Sequence, residues 1–75
     1  MLDKQQAKRL NPIVNSPQWE DFKEYLKDRK MLELQALAVA TSESEMFRLQ
    51  GRITSLVMLE ELPQKVKEAL TRKEN

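Results

Sequence analysis

Gly51, Pro12, Pro17 and Pro63 are the only glycine and prolines in this chain of 75 residues, and that scarcity of breakers decides its fold class. Alternation of apolar and polar residues never persists long enough to suggest a strand, whereas apolar residues recur at three- and four-residue spacing. An all-α chain is therefore expected, with its boundaries set by these four residues.

Ser16-Pro17 reads as a helix start. The hydroxyl can accept a first-turn N–H, and proline at the first helical position has no N–H to leave unpaired. A helix over about 17–40 follows, with Glu20 and Asp21 near the positive end of its dipole. Trp19, Phe22 and Leu26, with Tyr25 on the adjoining row, make one apolar stripe that residues 27–30 interrupt. From Met31 to Ala40 only Glu33 and Gln35 are polar, so this stretch, which includes Leu34 and Leu37, is apolar almost all round. Ten residues are too few to span a bilayer. A single neighbouring helix covers only one side, so contact with another molecule is expected.

Ser42 and Glu45 form an S-x-x-E capping box that starts a second helix over about 43–62. Met46, Leu49, Ile53 and Leu56 repeat at coiled-coil spacing, and Val57, Leu59 and Leu62 widen the seam. The short connection makes the first helix its natural partner, giving an antiparallel helical hairpin. Gly51 has two readings, a tolerated residue on an exposed side or a point of close backbone approach. Pro63 ends or kinks the second helix. A short C-terminal helix over about 64–72 then carries Val66, Ala69 and Leu70, and Lys73-Glu74-Asn75 is expected to fray. Residues 1–15 form an N-terminal arm, either a short helix or a segment extended until a partner binds it, ahead of a hairpin domain over 16–75.

A chain this small usually adds a disulfide, a metal or a partner to its core. With neither Cys nor His, it has no disulfide, no thiolate and no imidazole, which leaves oligomerisation or docking. The same absence argues against catalysis. Glu20 and Glu24, and Glu43 and Glu45, are the nearest thing to an acid–base pair, and they sit beside basic residues in the expected role of helix-face pairing, Glu20 with Lys23 and Glu24 with Lys27. No cofactor, metal or small-molecule substrate is expected. The 13 basic and 12 acidic residues leave a net charge of +1, against a bulk electrostatic grip on nucleic acid. A nucleic-acid-binding regulator using Lys27, Arg29, Lys30, Arg48 and Arg52 is thus the alternative. No apolar run follows Lys4, Lys8 and Arg9, so neither a signal peptide nor a membrane span is expected.

Around Phe47-Arg48-Leu49-Gln50-Gly51-Arg52-Ile53, with Ser16-Pro17-Gln18-Trp19 and Phe22 upstream and Leu59-Glu60-Glu61-Leu62-Pro63 downstream, the sequence resembles small helical proteins encoded among the head and packaging genes of tailed bacteriophages. The likeness covers about residues 16–63. It implies virion structure or assembly: a non-enzymatic protein-interaction module that self-associates or docks on a capsid- or portal-type assembly, soluble in the host cytoplasm or within the virion. A phage-borne inhibitor of a host protein is a further alternative. The residues expected to contact partners are Trp19, Phe22, Tyr25, Leu26, Leu34, Leu37, Phe47, Arg48, Gly51 and Arg52, with Arg48 and Arg52 reaching acidic groups or backbone carbonyls on the partner.

Overall fold

Four helices make up the computed structural model, which describes residues 2–72: α1 Lys4–Val14, α2 Pro17–Ala38, α3 Glu43–Glu60 and α4 Leu62–Thr71. The all-α class and the hairpin follow the sequence closely, with α2 ending two residues before the expected limit. Lys73, Glu74 and Asn75, expected to fray, lie outside the described residues.

The helix starts differ in their chemistry. Ser42 Oγ accepts the Glu45 N–H at 3.2 Å, one half of the expected capping box; among the described residues the Glu45 side chain does not return a bond to the Ser42 N–H. Ser16 does not cap in this way. Its hydroxyl turns back and donates to the Ile13 carbonyl at 2.7 Å, satisfying the end of α1 instead of the start of α2. Pro63 ends the second helix, as expected, but the break falls two residues earlier. A helix continuing through it would set the proline ring against the Leu59 carbonyl, so α3 stops at Glu60. Pro63 then sits in the first turn of α4, where a missing N–H costs nothing. That puts the limits at 60 and 62, not 62 and 64.

The N-terminal segment is a helix. Asp3 Oδ1 accepts the Gln6 N–H at 2.7 Å, and Gln6 Oε1 accepts the Asp3 N–H at 3.2 Å, a reciprocal capping box. Ala7, Leu10 and Val14 follow at three- and four-residue spacing and pack on Val66, Ala69, Leu62 and Leu70 of α4. This burial carries the helix through Pro12, two residues past the expected stop.

Two helix pairs result. In the first, α2 lies along α3, and its ion pairs fix the direction: Lys30 meets Glu60 at 2.8 Å, while the later Glu33 meets the earlier Arg52 at 3.8 Å. The pairing is antiparallel. In the second, α4 turns away from the hairpin to hold α1. The pairs touch only lightly and share no four-helix core, so the molecule is long and flat, 48 × 31 × 13 Å.

Candidate functional site

A flat arrangement of two helix pairs cannot enclose much. Among the described residues six apolar side chains are buried, Ala7, Trp19, Leu26, Leu49, Val66 and Ala69, while eleven large ones stay exposed. The imbalance is sharpest where the sequence is most apolar. Met31 and Leu32 are each 52% exposed, and Leu34 and Val39 are open as well. The one buried residue there is the charged Glu33.

Glu33 lies in the seam of the hairpin because its stripe, Trp19, Leu26, Glu33, repeats every seven residues. Two arginines satisfy it. Arg29, one turn earlier on α2, donates at 3.1 Å, and Arg52 approaches from α3 at 3.8 Å. Lys30 and Glu60 close the seam further along, where the Glu60 Oε1 is shielded from solvent and held by an ionic contact that is poorly aligned as a hydrogen bond. Arg52 is thus engaged within its own chain. It is not held ready for a partner.

These ion pairs also tell the two flanks of the hairpin apart. Arg29 and Arg52 share Glu33, so the flanks they occupy lie on one face. At about 3.6 residues per turn, Phe22 and Tyr25 of α2 and Arg48 and Leu59 of α3 fall on that side. Phe22 packs at a 57° tilt to Trp19 with centroids 5.3 Å apart and stacks on Tyr25 at 6.3 Å. The other side has a different character. On α2 it carries Met31 and Leu34, while Phe47, Gly51, Thr54 and Met58 run along the outer edge of α3, turned away from α2. No charge falls on that outer edge from Phe47 to Met58. Between Met31 and Ala38 the only charged residue is the buried Glu33, and between Phe47 and Met58 the only ones are Arg48 and Arg52, on the arginine side.

The ten residues expected at a partner surface therefore separate into three groups. Trp19 and Leu26 are buried within the chain and Leu37 is half-buried, so they hold the hairpin together. Phe22, Tyr25, Arg48 and Arg52 share the arginine face. Leu34, on the other flank of α2, and Phe47 and Gly51, on the outer edge of α3, lie clear of that face. A common basic face of Lys27, Arg29, Lys30, Arg48 and Arg52 is not assembled: Lys30, Arg29 and Arg52 are in ion pairs, while Lys27, on the Leu34 flank of α2, and Arg48, on the arginine face, are in no ion pair among the described residues and lie apart. The helix-face pairs Glu20–Lys23 and Glu24–Lys27 are not among the ion pairs of the described residues either.

Gly51 has nothing within 4 Å of where a Cβ would stand. No backbone of this chain comes close to it. It forgoes about 1 kcal/mol of helix stability relative to Ala with no return inside the chain.

Trp19 carries a different cost. It is 6% exposed, yet its indole N–H finds no acceptor, which forfeits about 1–3 kcal/mol against a satisfied donor. Trp19→Phe keeps most of the packing and removes the orphan. Its unfolding free energy from urea denaturation is expected to stay within about 1 kcal/mol of the parent, and a drop of several times that would mean the N–H is bonded after all.

The chain matches no protein-family model, and no curated protein or solved structure shows significant similarity to it. No helix among the described residues is long and apolar enough to cross a membrane.

Proposed function

We propose that this protein is a non-enzymatic helical interaction module, a structural or assembly component of a tailed-phage particle that self-associates or docks on a larger capsid- or portal-type assembly. The observation that carries the interaction role is the uncovered stretch from Met31 to Val39, where apolar side chains one turn from a buried carboxylate stand in solvent. Monomeric proteins seldom leave contiguous apolar surface of this kind unless something covers it. The absence of both His and Cys supports a role without catalysis or metal chemistry. Nucleic-acid binding is less well supported, because three of the five cations it would need, Arg29, Lys30 and Arg52, are engaged by Glu33 and Glu60.

The phage context comes from the resemblance over residues 16–63. Mass spectrometry of purified particles and of assembly intermediates from the encoding phage tests it. A structural component is expected in one or both at reproducible copy number. Absence from both, with the chain recovered on a host protein, would turn the assignment towards an inhibitor.

A further inference from the structure

A second seam runs along α3, and nothing in the chain fills it. The inward seam, Leu49, Ile53 and Leu56, faces α2. On the outer edge, Phe47, Gly51, Thr54 and Met58 repeat at four, three and four residues, the spacing that lets one helix pack along another. Phe47 is 63% and Met58 65% exposed. The open space over Gly51 lies between them.

The geometry points to a second copy of this chain as the occupant, packed antiparallel along this outer seam. This dimer presupposes the interaction role proposed above. Three observations support this occupant, the first by area and the other two by the symmetry of the seam. First, the chain exposes 5961 Å², whereas a compact monomer of 8.8 kDa exposes about 4,800 Å². The excess, about 1,200 Å², exceeds the roughly 800 Å² that each partner buries in a standard stable interface. Second, the seam is uncharged from Phe47 to Met58, so it meets itself without like-charge repulsion, as a two-fold interface must. A partner chosen by charge would need charge here. Third, Gly51 and Thr54 lie at the middle of the seam, where an antiparallel two-fold axis would bring the two backbones nearest. In that register Phe47 of one copy lies over Met58 of the other, and the two Arg48 side chains sit at opposite ends. A parallel register would place Arg48 beside its own copy.

Sedimentation equilibrium with a charge swap tests both the surface and the direction. The wild-type chain is expected to be dimeric at micromolar concentration. Met58→Glu should weaken the dimer by at least about tenfold, because it sets an unpaired carboxylate in the contact. The double variant Phe47→Lys, Met58→Glu should recover most of that loss, since only the antiparallel register brings Lys onto Glu of the other copy. Within one chain the two positions are about three turns apart and cannot pair. Phe22→Glu, on the opposite face, should leave association unchanged. Circular dichroism on each variant confirms that it is folded. A dimer insensitive to Met58→Glu, a double variant weaker than the single, or loss of association on Phe22→Glu would overturn the proposed interface. A wild-type monomer would overturn the dimer, and a hydrophobic-surface dye then separates the two levels. Dye binding that Met58→Glu reduces would leave an interaction surface awaiting another partner, while no dye binding would remove the interaction role as well.

Discussion

Val66→Asp is expected to melt α1 and α4 while the α2–α3 hairpin survives. Val66 is 1% exposed and packs against Ala7 and Ala69, both of which are equally enclosed. A carboxylate at this position has no cation to meet among the residues of that cluster. It must either stay charged without a partner or take up a proton at a cost, and the loss is about 3 kcal/mol or more. A pair of helices only 11 and 10 residues long cannot absorb this, because helices of that length depend on tertiary packing. The hairpin shares little surface with them and should remain. Far-UV circular dichroism is then expected to lose roughly a third of its helical signal, the share that α1 and α4 contribute. Tryptophan fluorescence from Trp19, on α2, should change far less. Loss of all helical signal in one step would mean that the two pairs fold as one cooperative unit despite their light contact.

Leu26→Ala should have the opposite reach and unfold the hairpin itself. Leu26 is 2% exposed, the best-enclosed large side chain of α2. Truncation removes its burial and leaves a cavity, together about 2–5 kcal/mol. A core in a chain of this size rarely supplies more than about 3–5 kcal/mol in total, so the variant is expected to be largely unfolded at room temperature. Leu34→Ala removes the same atoms eight residues further along α2. At 42% exposed, Leu34 contributes less to the isolated chain, and its truncation should cost under about 1 kcal/mol in dilute solution. Urea denaturation of the two variants side by side gives the comparison. Equal losses would show that the enclosed and open sides of α2 are not distinct.

Much of the hairpin is legible in the residues. Pro17, the Ser42–Glu45 cap and the Met46-Leu49-Ile53-Leu56 seam are local signals, and local signals set where α2 and α3 begin and which side of α3 turns inward. The excess of apolar surface is legible as well, because residues 31–40 carry too few polar groups to be covered by one helix. Helix α1 was also written in the sequence, in the Asp3–Gln6 cap and the Ala7-Leu10-Val14 stripe, but Pro12 masks it. A proline there reads as a stop until the packing on α4 is known. That packing is long-range, between residues about 60 apart in the chain, and no periodicity reports it.

The candidate surface divides in the same way. Exposure of Phe47 and Met58 and the openness of Gly51 follow from their spacing against the inward seam. The engagement of Arg52 with Glu33 could not be read beforehand, because it depends on the register of α2 against α3. A glutamate on an otherwise apolar stripe, two heptads after Trp19, is the signal that an arginine from the facing helix would be needed. Buried carboxylates require partners, and Arg52 is the cation that the antiparallel register brings there from α3.

The central claim is that this fold leaves apolar surface for another molecule to cover, and that a second copy covers it. Thermal unfolding followed over a hundredfold range of protein concentration tests this most directly, since folding coupled to association makes the midpoint depend on concentration by mass action. A Tm that rises steadily with concentration is the expected result. A Tm that stays fixed across the whole range, with a single transition at each concentration, would contradict it.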